Sequence, residues 1–316
     1  MDALSMLLEN VHLYDTQFYY LKGHNAWSFS ITRHDTIVFY LMLHGNMCLD
    51  VAGQTRTLNA GDVVMIPNSI QHAAFAAEYF GNKPPKDAPS IETKLDLHPS
   101  EALHINRVQD SFANADLMLI ECCYDKEVTR PILSVLPSFL PEQDQVTGSR
   151  QTVMDLVVSI LSLESKTDSM GKATVIDRLA GIIMVDFLRM HIEDLPEATD
   201  SWLVALKDSY LAKAIGAMHN APEQNWTISK LAEVAGMSRS SFAERFKQVV
   251  GVPPLTYLID YRLRLAARYL RLQQHSISRI SELVGYASDS TFSQAFKRVY
   301  GVSPRHYRQQ FQESQT

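Results

Sequence analysis

Cysteine is scarce in this 316-residue chain, with three in all: Cys48, Cys122 and Cys123. Three thiols cannot all pair within one chain, and neighbours rarely bridge each other, so a disulfide framework is excluded and a reducing, cytoplasmic setting is expected. Cys122 and Cys123 sit in the apolar run 117–124, where buried strand thiols are a better expectation than a redox pair. Nothing is long and apolar enough to cross a bilayer, so no membrane partner is expected. The first ten residues carry Asp2 and Glu9 and no basic residue, which argues against a secretory signal. With 46% hydrophobic residues the chain has room for two ordinary cores and a connecting segment.

Charge of one sign is missing locally. From residue 227 onward there are 13 Lys plus Arg against 6 Asp plus Glu; of the chain totals of 29 and 35, this leaves 16 against 29 before it. The formal −6 therefore hides a basic end on an acidic body. A basic domain is the electrostatic footprint of a polyanion partner.

That basic end is written twice. Ile228, Leu231, Glu233, Val234 and Gly236 recur 49 positions later as Ile277, Ile280, Glu282, Leu283 and Gly285. Phe242, Phe246, Lys247, Gly251, Val252, Pro254 and Tyr257 recur 50 positions later as Phe292, Phe296, Lys297, Gly301, Val302, Pro304 and Tyr307. Each copy reads as helix, glycine turn, helix, over 228–249 and 277–299, a shape used to lay the second helix in a major groove of double-stranded DNA. Thr227, Ser238 and Ser288 are expected caps. With Phe242 and Phe246 inward, Arg239, Ser240, Ala243 and Glu244 face out as candidate base readers; Asp289, Ser290, Ser293 and Gln294 do so in the second copy. Arg239 suits guanine, Gln294 adenine, and Glu244 or Asp289 can accept from cytosine N4. Between the copies a helix over Pro254–Leu272 is expected, about 28 Å long at 1.5 Å per residue. Such a spacer can hold two readers about one DNA turn apart. Its Arg264, Arg268 and Arg271 form a basic edge, and Lys247, Arg262, Arg264, Arg268, Lys297, Arg298 and Arg305 are the candidate phosphate contacts.

The text from 226 to 308 resembles the double helix-turn-helix domain of the AraC/XylS family of transcription regulators, down to Ala232, Met237 and Gly251 in one copy and Tyr286, Ala295, Ser303 and Arg308 in the other. Ser281 departs from it, standing where the family often has alanine. The resemblance implies a cytoplasmic DNA-binding regulator, an activator acting through RNA polymerase more often than a repressor, and no enzyme.

Upstream, strand-like runs at 37–43, 47–51, 55–58 and 63–66 are punctuated by Gly45, Gly53, Gly61 and Pro67, and strand character resumes at 104–108 and 117–123 after a polar loop at 81–100. Short strands with glycine turns mean a sandwich or barrel. The period then becomes helical over Val153, Leu156, Val157, Ile160 and Leu161, and again over Val175, Ile176, Leu179, Ile182, Ile183 and Phe187. This helical hairpin can pack on its own β domain or on a second chain. A further helix is expected over 202–218. Gly61, Pro67 and His72 resemble the second motif of cupin barrels, with Ser69 in place of a glycine. The ligands that the first motif would supply near 39–42 and at Asn46 are absent, so no metal cofactor is expected, although His34 and His44 lie nearby. The segments 130–137, 177–180 and 202–206 resemble the cupin-type sensor branch of the same regulators.

The expected architecture is multidomain α and β: a cupin-like sensor barrel over 1–130, a helical linker or dimerisation hairpin over 131–200, and an all-α double helix-turn-helix domain over 201–316. The resemblance implies a homodimer and a small-molecule effector in the barrel interior, near His72. The alternative is a metal-dependent cupin enzyme with a DNA-binding tail.

Overall fold

The computed structural model describes residues 3–8, 11, 13–25, 27–31, 35–68, 70–79, 103–105, 114–141, 149–166, 169–196, 199 and 201–313. The expected loop at 81–100, His34 and Ser69 lie outside them. The chain divides into two compact units. One comprises Leu13–Tyr124 and Leu133–His191; the other comprises Met1–His12, Asp125–Ile132 and Ile192–Thr316.

The first unit is built on an eight-stranded sheet. Its strands are β1 (Leu13–Gly23), β2 (Ser28–Ile31), β3 (Thr36–Val51), β4 (Gln54–Asn59), β5 (Val63–Ile66), β6 (His72–Ala76), β7 (Leu103–Ile105) and β8 (Ala115–Tyr124). All pairings are antiparallel except β1 with β7. The long β3 organises the sheet. Its first half pairs with β5 and β8, its second with β4 and β6. Gly45, expected to end a strand, instead lies inside β3 just past an irregularity at Met42/His44. Its φ of +76° and the closeness of Asn114 O, 2.1 Å from where a Cβ would sit, leave room for glycine alone.

Alternate residues of β3 explain the core. Val38, Tyr40 and Met42 join Leu21, Trp27, Phe29, Val64, Leu117 and Leu119 in one cluster. Ile37, Phe39 and Leu41 on the opposite face are also fully buried, so both faces are covered. Helix α3 (Ser149–Lys166) packs against β3, and α4 (Lys172–Asp194) is tied to β1 through Thr16, whose hydroxyl donates to Asp177 Oδ1 at 2.8 Å. Ile176, Leu179, Ile183 and Phe187 of α4 are buried. The two helices answer the packing question differently. Val157 and Leu161 of α3 are buried, but Val153, Leu156, Ile160 and Leu163 are 40–64% exposed along one stripe.

In the second unit, α1 (Ala3–Leu8) packs against α5 (Ser209–Asn220), and α2 (Lys126–Leu133) begins directly after β8. The helix expected over 202–218 is broken. A 3-10 turn at Trp202–Leu206 precedes Asp208, whose carboxylate caps α5 by accepting from Tyr210 and Leu211 N–H groups. Aspartate offering its side chain to a free helix start outweighs the apolar period running through it. The repeat then forms α6 (Ile228–Ala235), α7 (Arg239–Val250), the spacer α8 (Pro254–Leu272), α9 (Ile277–Leu283), α10 (Asp289–Tyr300) and α11 (Pro304–Glu313).

Candidate nucleic-acid interface

Each helix-turn-helix copy is fixed by the same local chemistry. Thr227 and Ser238 accept from Lys230 and Ser241 N–H at 3.2 Å, starting α6 and α7; Ser288 does the same for Thr291 at α10. The fourth cap is Ser276 at α9, at the repeat's own offset of 49 from Thr227. Gly236 and Gly285 end the first helix of each copy at φ +69° and +76°. In both, the glycine N–H and the next N–H close onto the preceding helix: Gly236 to Glu233 O and Met237 to Ala232 O, Gly285 to Glu282 O and Tyr286 to Ser281 O, all at 2.9 Å.

The cores are separate. Phe242 and Phe246 pack with Leu231, Ala235, Leu211 and Tyr257. Phe292 and Phe296 pack with Ile280, Val284, Leu263 and Leu270. The spacer α8 serves both, through Leu258 in the first and Ala266 in the second. Ser281 fits its buried slot, but its hydroxyl finds no partner among the described residues. His219 is clasped between Tyr261, whose ring centroid lies 3.8 Å away, and Tyr257, whose hydroxyl is 2.9 Å from Nε2. Burial first, and the Arg264 charge second, push its pKa down to about 3, so it is neutral here.

This packing leaves the starts of α7 and α10 facing outward. Arg239, Ser240, Glu244, Asp289, Ser290 and Gln294 are exposed, and Ala243 and Ser293 half-buried. Lys247, Lys297, Arg298 and Arg305 are exposed as well, and Arg264 is half-buried. Two arginines expected at phosphates also have partners within the protein. Arg262 Nε donates to Pro222 O and its Nη2 to Gln224 O, both at 2.7 Å, with Gly285 packed against the same guanidinium. It clips the loop before α6 to the turn of the second copy. Arg268 lies beside Asp125, with Nε 3.9 Å from the carboxylate, and Arg271 is bonded to the same residue. Sequence reasoning could not find these partners, because they stand about 40 and 145 positions away. Arg245 was also passed over: it points from α7 to Asp208 at 2.6 Å and lies over the Tyr210 ring.

In the sheet unit, His72 has both ring nitrogens engaged. Ile70 O, 2.6 Å from Nδ1, can only accept, so Nδ1 carries the proton; Nε2 then accepts from the Tyr40 hydroxyl at 2.9 Å. Burial lowers its pKa and keeps it neutral. A metal would have to displace the Tyr40 hydrogen bond, and among the described residues no three His, Cys, Asp or Glu side chains gather to hold one. Trp27, Phe29 and Tyr40 stack in a row beside His72, and the buried Trp27 indole N–H has no partner among the described residues.

Both parts of the chain are similar to known proteins. A family model described as a helix-turn-helix domain matches residues 231–310, and one described as cupin matches residues 2–193. The HTH-type transcriptional regulator AlkR of Acinetobacter baylyi is 32% identical over 311 residues, covering 98% of this chain and all of that protein. The HTH-type transcriptional regulator MtrA of Neisseria gonorrhoeae is 26% identical over 98% of this chain and 99% of its own length. The RCS-specific HTH-type transcriptional activator RclR of Escherichia coli is 40% identical over 103 residues, 33% of this chain and 36% of that one. Among solved structures, the DNA-binding domain of AdpA in complex with a target DNA is 28% identical with a TM-score of 0.32, covering 33% of this chain and 93% of that chain.

Proposed function

Because this chain belongs to the AraC/XylS family of transcriptional regulators, with a cupin domain before its helix-turn-helix domain, we propose that it is a dimeric, effector-controlled activator whose two reading helices contact different bases. The observation that carries the reading of bases is the pair of outward helix starts. The two copies share the buried phenylalanines Phe242/Phe292 and Phe246/Phe296, yet the exposed positions are Arg239, Ser240 and Glu244 in one and Asp289, Ser290 and Gln294 in the other. Two like frames with different outward chemistry support two different half-sites. Base contacts are assigned to these six with Ala243 and Ser293, and phosphate contacts to Lys247, Arg264, Lys297, Arg298 and Arg305. Activation is supported by the kinship with RclR, a transcriptional activator; RNA polymerase is the partner that an activator requires.

The exposed stripe Val153, Leu156, Ile160 supports a second copy as partner. Its spacing is that of one helix face, and a second α3 offers the same face in return. The row Trp27, Phe29, Tyr40 supports the effector site. These rings are packed in the core, so a ligand reaching the unpaired Trp27 N–H must displace core contacts, which a mostly apolar small molecule with one hydrogen-bond acceptor suits. Ligand there controls DNA binding only if it favours one arrangement of the protein over another.

Genome-wide capture of bound DNA, followed by selection on the captured motif, tests the reading of bases. Glu244→Ala is expected to relax preference at one position while overall affinity stays near wild type. Unchanged preference at every position rejects Glu244 as a base contact.

A further inference from the structure

The unit that holds the reader includes a segment from outside the C-terminal third. Asp125–Ile132 follows β8 without a loop and belongs with Ile192–Thr316. Asp125 Oδ1 starts α2 by accepting from Glu127 N at 3.0 Å and Val128 N at 3.3 Å. The same oxygen receives Arg271 Nη2, and Oδ2 lies 3.9 Å from Arg268 Nε. Glu127 Oε2 accepts from the Tyr300 hydroxyl at 2.9 Å, and its Oε1 accepts from Tyr307 at 3.2 Å and lies 3.4 Å from Arg271 Nη1. Arg271 also covers the Phe311 ring at 5.6 Å. At the other end of α2, Pro131 O accepts from Trp202 Nε1 at 3.3 Å, and the Trp202 ring lies 6.4 Å from Tyr257 in the first copy's core. One short helix thus grips both halves of the reader.

We propose that α2 is an inhibitory staple: its two carboxylates occupy Arg268 and Arg271 and tie α8, α10 and α11 to the Trp202 turn, holding the two reading helices at a mutual angle that engages DNA poorly. Three observations favour restraint over mere support. Asp125 and Glu127 bring two negative charges into the basic end of the chain, where they oppose phosphates. They hold two of the three arginines on the basic edge of α8. The charged groups are sheltered, with side chains 13–25% exposed, so salt screens them weakly.

The staple is also placed to be moved. Leu13 and Tyr124 are paired in the β1–β8 ladder, and the chain leaving it on either side, Met1–His12 and Asp125–Ile132, belongs to the reader's unit. A change of strain in that pair reaches Asp125 through a single peptide bond. This control of affinity goes beyond dimerisation and base choice, and it stands or falls apart from them.

The test uses the full chain and a duplex recovered with the wild-type protein from genomic capture. Without effector, D125N/E127Q is expected to bind roughly tenfold or more tightly, the gain when an open state populated at 0.1–10% becomes the main one. D194N removes an exposed carboxylate from the same unit and is expected to leave affinity near wild type. Should the double variant fail to fold, Tyr300→Phe removes one hydrogen bond to Glu127 and is expected to give a smaller gain in the same direction. A folded double variant or a folded Tyr300→Phe protein that binds no better than wild type overturns the staple. So does an equal gain from D194N, which would assign the effect to overall charge.

Discussion

The two turn glycines, Gly236 and Gly285, form an experiment built into the repeat. Alanine at Gly236 would keep the left-handed backbone at φ +69° and meet nothing within 4 Å of its Cβ. Its cost is the strain of an L-residue in that region, about 1–2 kcal/mol. Alanine at Gly285 suffers the same strain at φ +76°, and its Cβ would lie 2.6 Å from Arg262 Nη2, 2.7 Å from Glu223 O and 2.8 Å from Glu223 Cα. Two of those three atoms are backbone, so the loop before α6 must shift. Arg262 would then loosen its hold on Pro222 O and Gln224 O. A hydrogen bond to a charged group contributes about 1.5–3 kcal/mol, and about 1 kcal/mol each after allowing for the half-exposed guanidinium. Gly285→Ala should therefore destabilise its turn by about 2 kcal/mol more than Gly236→Ala, roughly thirtyfold in the opening equilibrium. Hydrogen exchange on amides of α9 and α10, set against those of α6 and α7, reads the two copies separately. Equal loss of protection in the two variants would refute the role given to Arg262 as the clip between copies.

Other outcomes follow from the same structure. His219 is neutral in the folded protein and protonated when unfolded below about pH 6.5, so the unfolded state binds more protons between about pH 3 and 6.5. Stability of this unit should fall by about 1.4 kcal/mol per pH unit as pH drops through that window, and His219→Gln should remove one proton's share of the slope; identical slopes would contradict the buried neutral histidine. Ser281→Ala deletes an unpaired buried hydroxyl and should raise stability by about 1 kcal/mol in chemical denaturation, whereas a loss would mean that the hydroxyl has a partner. Leu156→Glu with Ile160→Glu should convert the proposed dimer to a folded monomer in sedimentation, with far-UV circular dichroism unchanged; an unchanged oligomer would remove α3 from the interface. Burial pushes the Cys122 thiol up to about 12, so a thiol reagent at neutral pH should leave Cys122 unlabelled in the native protein, and its rapid modification would count against the packed strand.

The sequence by itself determined the helices of the repeat and the spacer between them almost to the residue. The repeat's helices are short, capped by serine, threonine or glycine at fixed offsets, and amphipathic with a 3.6 period, all of which are local properties that a repeat displays twice. The sheet was less legible. The short strand β2 leaves no period in the sequence, and the regular alternation of β1 is lost where Phe18 and Tyr19 are both buried. The run through Gly45 is one strand because its partners, β4, β5, β6 and β8, hold it so. What only the tertiary structure decided is which charges remain outside. Arg262, Arg268 and Arg271 look in the sequence like their neighbour Arg264, a basic helix edge awaiting phosphates. Carbonyls of 222 and 224 and carboxylates of 125 and 127 claim the first three, because electrostatic partners act through space and leave no period in the chain.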